Sequence, residues 1–153
     1  MGWRCVLALA AVVAAGCATA SSAVVPPKRD VSALVELSGD AILVRESIQF
    51  DHGSAEIDPR SMDLLDAVAQ IMKATTAIKT LTVEGHTDTT GDPAQNQPLS
   101  LARAAAVLKY LESKGVEHGR LEAKGYGSEQ PVDSNDTEAG RAKNRRVMFK
   151  VTR

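Results

Sequence analysis

The sequence predicts an α/β two-layer sandwich: a mixed β-sheet with helices on one face and a small leading β-hairpin. Three observations predict it. Runs that alternate apolar and polar residues recur at 80–86, 120–125 and 146–152. Two segments with apolar residues at helical spacing lie between strand-like runs. Asp-Pro, Ser-Gly-Asp and single Gly residues punctuate the borders. The order after the hairpin is β-α-β-α-β-β, and alternating strands covered on one face leave the other wet or partly wet.

Each element has its own signal. Residues 31–37 and 41–50 are apolar runs joined by Ser38-Gly39-Asp40, a hairpin turn. In the second run Ile42, Val44, Ile48 and Phe50 share one side and Glu46 interrupts it, which points to a bulge or a partial edge. Asp58-Pro59 opens a helix, with Asp as N-cap and Pro at the first helical position. Leu64, Leu65, Val68, Ile71 and Met72 are its apolar stripe. Leu81 and Val83 alternate with Thr82, Glu84 and His86 in the next strand. A second helix is expected from about residue 97 to 114, with Pro98 in its first turn and Gly115 past its end. Its expected core stripe is Leu101, Ala104, Ala105, Leu108 and Leu111. Leu121 and Ala123 mark a third strand of the main sheet, residues 137–144 a helical turn, and Val147, Phe149 and Val151 the last strand.

The chain has 153 residues, enough for one domain with short extras. Hydrophobic residues make up 44% but aromatics only 3%, so the core must come from Leu, Val, Ile and Ala. A net charge of −1, with both signs mixed along the chain, points away from nucleic acid and from polybasic membrane contacts. Both cysteines, Cys5 and Cys17, sit near the N-terminus, which excludes a disulfide framework or a Cys-based metal site in the folded domain.

Residues 1–16 read as a signal peptide: Arg4, an apolar run, then Ala14-Ala15-Gly16 before Cys17. This resembles the lipobox of bacterial lipoproteins, which implies acylation of Cys17 and an anchor in membrane lipid. The alternatives are a simple cleavage site and an uncleaved anchor helix, the latter opposed by Gly16, Thr19, Ser21 and Ser22. Ala18 after the cysteine resembles outer-membrane lipoproteins. Residues 17–30 then form the acylated Cys and a flexible tether, reaching at most about 45 Å, and 31–153 form the domain.

The functional signal is concentrated in residues 85–103, GHTDTTGDPAQNQPLSLAR. A polar loop carrying Asp88 leaves a strand, and the following helix carries Asn96, Leu99 and Arg103 within about 60° of one another. By the stripe expected above, this face points away from the core and toward the loop. An acid and a guanidinium so placed can grip the two ends of a zwitterion: Asp88 an ammonium, Arg103 a carboxylate. Pairing of Asp88 with Arg103, or Asp88 capping its own loop, are equally open from spacing alone.

An ordered set of motifs narrows these possibilities. It comprises Ile48-Gln49-Phe50-Asp51 with Gly53-Ser54-Ala55, then Val83-Glu84-Gly85-His86-Thr87-Asp88, Gly91, Asn96, Leu99-Ser100 and Arg103-Ala104. Gly125-Tyr126-Gly127, Gly140-Arg141-Ala142 and Asn144-Arg145-Arg146-Val147 follow. Across 41–153 the chain resembles the OmpA-like C-terminal domain shared by OmpA, the peptidoglycan-associated lipoprotein Pal and MotB. The resemblance implies a mixed sheet in order 1-4-2-3, and non-covalent binding of peptidoglycan stem peptides through meso-diaminopimelate. It implies that Asp88 receives the ammonium and Arg103 the carboxylate. Asn96 and Leu99 line the pocket, Thr87, Thr89 and Gly91 shape the loop, Phe50 and Asp51 form the opposite wall, and Arg146, in preference to Arg145, adds positive charge. A Pal-like lipoprotein would tether the outer membrane to the wall from the periplasmic side, with Tol-type envelope proteins as possible partners. The other reading is a MotB-like stator or envelope-machine component held by an uncleaved N-terminal helix.

No cofactor and no catalytic residue is expected. His86 has no second His or Cys nearby and reads as structural; His52 and His118 read as surface residues. No nucleophile elbow is present, and Asp88 with Glu84 lacks a leaving-group pocket, so the chain reads as a binding protein and not an enzyme.

Overall fold

A computed structural model describes residues 30–51 and 53–153. The signal peptide, Cys17, most of the tether and His52 lie outside the described residues. The elements run in order: β1 (Val35–Ser38), β2 (Ala41–Val44), α1 (Met62–Ala74), β3 (Thr80–Gly85), α2 (Pro93–Ser113), β4 (Leu121–Gly125), α3 (Glu138–Asn144) and β5 (Val147–Thr152). Short 3-10 turns precede α1 at Pro59–Ser61 and β4 at His118–Arg120.

The five strands form one mixed sheet in the order β1-β2-β5-β3-β4. Without the leading strand this is the expected 1-4-2-3. Only β3 and β4 are parallel, in register from Leu81↔Leu121 to Gly85↔Gly125. The sandwich is the predicted one. Helix α1 packs on α2 and β1, and α2 lies across β3 and β4. Leu64, Leu65, Val68 and Met72 of α1 meet Leu81, Val83, Val107, Leu111 and Phe149 in a single buried cluster. Each such side chain contributes about 1.5–3 kcal/mol by leaving water.

The other sheet face is polar and partly wet, as expected: Glu122, Lys124 and Lys150 are exposed, and only the β3 side chains beneath them are buried. Glu84, on the central strand, is only 4% exposed. Lys150 Nζ lies 3.0 Å from it and Tyr126 donates to it at 3.3 Å. Thr82 donates to Glu122, which pairs with Lys124. Long side chains from β4 and β5 thus roof β3 with ion pairs.

Two expectations about element borders fail. The run 41–50 is not one strand: β2 pairs with β5 only as far as Ile42↔Phe149 and ends at Val44, where its pairing with β1 ends at Val35. Ile48 is buried beyond the strand, and Phe50 makes only an isolated bridge to Ile57. The second helix starts at Pro93, not near residue 97. Asp92 caps it by accepting from Ala94 N at 2.9 Å, so Pro98 lies inside the helix. Its missing N–H leaves the Ala94 carbonyl without its usual partner, which costs little because both residues are exposed to water.

The buried stripe of α2 also differs. It is Asn96, Ser100, Ala104, Val107 and Leu111, while Leu101 is 46% exposed. Arg103 is about 60° from Ser100 and about 40° from Val107 around the helix. It therefore sits at the edge of the buried face, half-sunk, and does not point away from the core. The cause is the sheet beneath. Gly85 and Gly125 let the helix backbone at Ser100-Leu101 come so close that only small residues fit. Arg120 fastens the far end of this layer, donating to the carbonyls of Met72, Thr75 and Ile78 at 2.8–3.2 Å.

Candidate ligand-binding cleft

Strand β3 ends at Gly85, yet His86, Thr87 and Asp88 continue it as buried extended chain. His86 N donates to Arg146 O at 3.0 Å and Thr87 N to Gly127 O at 2.8 Å. Asn96, from the first turns of α2, donates its amide to the carbonyls of Asp88 (3.3 Å) and Thr90 (3.1 Å). Gly91 takes a φ of 85°, the left-handed conformation that turns the chain toward the helix. Asp88 is thereby held 5% exposed at the base of an open cleft of about 690 Å³.

Thr87, Asn96, Leu99 and Arg103 share the cleft with Asp88, and Phe50 and Gly53 line it from the segment before α1. The Arg103 guanidinium lies 5.0 Å over the Phe50 ring, and its Nε donates to Ser54 O at 2.9 Å. Burial first, and Arg145 second, disfavour its charge, but a guanidinium stays protonated at any physiological pH.

Asp88 and Arg103 do not pair with each other. Asp88 Oδ1 accepts from Thr90 N at 2.8 Å, capping its own loop, and Oδ2 meets Arg145 Nη1 at 2.7 Å. Burial opposes the charge on Asp88, but the bonds from Arg145 and Thr90 outweigh it and hold the carboxyl below the usual range. Arg145 is shared with Glu138 at 2.7 Å, and Glu138 also pairs with Arg141 at 2.9 Å. A carboxylate has about four lone-pair sites, so Asp88 can accept a further donor while keeping both present ones.

Of the site residues expected from sequence, Asp88, Arg103, Asn96, Leu99, Thr87 and Phe50 meet at this cleft. Asp51 and Thr89 are exposed and do not line it, and Gly91 acts only through the loop. The choice between the two arginines is reversed. Arg145 lines the cleft, whereas Arg146 turns into a neighbouring cavity. Asn144 explains this. It is fully buried, accepts from Val132 N and Asp133 N, and donates to Asp133 O and Asn135 Oδ1. All its valences are filled, so the end of α3 is locked to the loop before it, with Arg145 facing Asp88.

No site role was expected for Glu138, Arg141, Thr90 or Gly53, although Gly53 and Arg141 stand in the motifs. The available signal was the spacing of Glu138, Arg141 and Arg145, three and then four apart, which puts one acid and two bases on one side of a helical turn. Among the described residues no cluster of His, Cys, Asp or Glu is arranged to hold a metal ion.

The OmpA family matches residues 49–145, a span that contains the whole cleft. Outer membrane protein A of Bordetella avium is 41% identical over 102 residues, covering 67% of this chain and 52% of that protein. The peptidoglycan-binding protein ArfA of Mycobacterium tuberculosis is 41% identical, covering 68% of this chain and 32% of ArfA. The probable lipoprotein YiaD of Escherichia coli is 36% identical, covering 81% and 57%. The chain thus spans about half or less of the length of the first two. Among solved structures, the peptidoglycan-associated lipoprotein of Burkholderia pseudomallei superposes with a TM-score of 0.63 at 28% identity, covering 83% of this chain and 100% of that one. The periplasmic domain of Helicobacter pylori MotB gives 0.65 at 26% identity, covering 77% and 80%.

Proposed function

We propose, for a chain that belongs to the OmpA family, non-covalent binding of peptidoglycan through the free end of meso-diaminopimelate in its stem peptides. The observation that carries the reading is the pair of opposite charges in one cleft that do not neutralise each other. Asp88 retains lone pairs for an ammonium, and the terminal nitrogens of Arg103 remain for a carboxylate. The Phe50 ring under Arg103 fixes its plane, and Leu99 offers the methylene stem an apolar wall. Two relatives carry peptidoglycan in their names, ArfA and the Burkholderia lipoprotein, which supports the same ligand class here. The two carboxylates of the cleft, Asp88 and Glu138, are both held below their usual range by the groups that donate to them. Glu84, the one carboxylate that sequence could pair with Asp88, is occupied by Lys150 and Tyr126.

Calorimetric titration tests the ligand. A stem peptide ending in diaminopimelate is expected to bind about 10–100-fold more tightly than its lysine counterpart. The lysine peptide lacks the carboxylate for Arg103, and a charge-assisted bond contributes roughly 1.5–3 kcal/mol. Equal affinities would remove diaminopimelate as the recognised group.

The anchor belongs to the same proposal. Acylation of Cys17 would place the domain on the periplasmic side of the outer membrane, within tether reach of the wall. Two or more acyl chains hold a protein stably, at about 0.8 kcal/mol per buried methylene. Metabolic labelling with a palmitate analogue is expected to mark the wild type and to vanish in Cys17→Ser. An unlabelled wild type that stays in the membrane fraction would favour the uncleaved anchor of a MotB-like component.

A further inference from the structure

A second cavity of about 190 Å³ adjoins the cleft and shares Phe50, Arg103 and Arg145 with it. Residues 47–49, His86, Ala142 and Arg146 complete its lining. Three guanidiniums border it, and their neutralisation is unequal. Arg145 is paired with Asp88 and Glu138. Arg146 spends Nη2 on the Gln130 carbonyl and Nε on the Met148 sulfur, and its buried Nη1 has no partner. Glu84, the acid whose charge reaches Arg146, is already engaged by Lys150 and Tyr126.

His86 reinforces the pattern. It is 2% exposed, stacks on Tyr126 with ring centres 5.2 Å apart, and has both ring nitrogens buried without a partner. Burial, then the Arg146 charge, pushes its pKa down to about 4, so at neutral pH it is uncharged and carries a single N–H. Buried donors left unmade are rare in folded proteins. Here His86, just past the end of β3, and Arg146, just before β5, line one cavity. Water could satisfy the hydrogen bonds, but an anion would also offset positive charge that Glu84 and Asp88, each already engaged by another cation, compensate only in part.

We propose that this cavity is an oxyanion site, holding one carboxylate or small inorganic anion between Arg146, His86 and Arg103. A water takes roughly 30 Å³ of liquid volume, so the cavity has room for an acetate-sized group. The anion has two possible sources. One is a second carboxylate of the peptide whose diaminopimelate end fills the cleft, and this source rests on the function proposed above. The other is a free anion, which does not.

Nuclear magnetic resonance of the full-length chain in detergent, with labelled His and Arg, tests the site. Sodium acetate is expected to shift the His86 ring and Arg146 side-chain signals saturably, with a millimolar midpoint. Exposed His118 should drift only with salt. Arg146→Gln should abolish the saturable shift. No saturable shift at His86 up to about 100 mM acetate overturns the site, as does an unchanged midpoint in Arg146→Gln. The wild-type titration decides even where the variant fails to fold. It contains no wall-derived ligand, so its failure is separate from a failure of diaminopimelate binding. Displacement of acetate by a wall peptide with a second free carboxylate, and not by its amidated form, assigns the peptide as the source. Displacement by neither assigns a free anion.

Discussion

Arg103→Ala and Asp88→Ala each remove co-sedimentation of the full-length chain with diaminopimelate-type peptidoglycan, while the domain still folds. For Arg103 the loss is a half-buried fork that can meet a carboxylate with two parallel bonds, pre-set over Phe50 and by the bond to Ser54. Lysine at 103 would restore a point charge without the fork and recover only part of the binding. For Asp88 the loss is double. The ammonium loses its acceptor, and Arg145, left with Glu138 alone, becomes a nearby repulsive charge. Each lost charge-assisted contact corresponds to about 1.5–3 kcal/mol, or roughly 10–100-fold in affinity. Neither side chain belongs to the apolar cluster, so circular dichroism melting should show a cooperative transition in both variants. Wild-type sedimentation in both would sink the site assignment.

Much of this cleft was legible in sequence because its main members lie on one continuous segment. Asp88, Asn96, Leu99 and Arg103 occupy a loop and the helix directly after it, where local spacing controls relative placement. The face of α2 was misread because alanines line both sides of the helix and because Ser100, a polar residue, is fully buried. Its hydroxyl donates to Gln97 O and accepts from Gly127 N, which removes the cost of burial. The start of α2 carries the same Asp-Pro signal that revealed the turn leading into α1. Pro98, five residues later, competed for it. The resemblance favoured Arg146 over Arg145 after Asn144, but spacing alone could not separate them. Neighbouring residues at the entry to a strand point to opposite sides, so a one-residue ambiguity in where α3 ends exchanges the cleft for the adjoining cavity.

Gly85→Ala is expected to cost about 3 kcal/mol or more and to weaken wall binding as a consequence. Gly85 and Gly125 are paired across β3 and β4, and α2 crosses the sheet directly above them. A Cβ at Gly85 would collide with the carbonyl of Ser100, and one at Gly125 would sit 2.5 Å from Leu101 N. Both obstacles are backbone, so no rotamer change relieves them. The helix and sheet must separate. Overpacking a core typically costs 1–3 kcal/mol when side chains can adjust, and a backbone collision belongs at or above the top of that range. The displacement also carries a functional penalty. Arg103 is one turn from Ser100, and Asp88 is three residues from Gly85, so the same contact that spaces helix from sheet spaces the two charges that grip the ligand. A binding constellation tolerates only about 0.5 Å of misplacement. Gly119→Ala is the matched control, since a Cβ there meets nothing within 4 Å. Urea unfolding should show Gly119→Ala near wild type and Gly85→Ala with a much lower midpoint, and sedimentation should follow the same order. Equal midpoints would mean that α2 does not rest on the β3 backbone, and that the spacing of Asp88 and Arg103 has another origin.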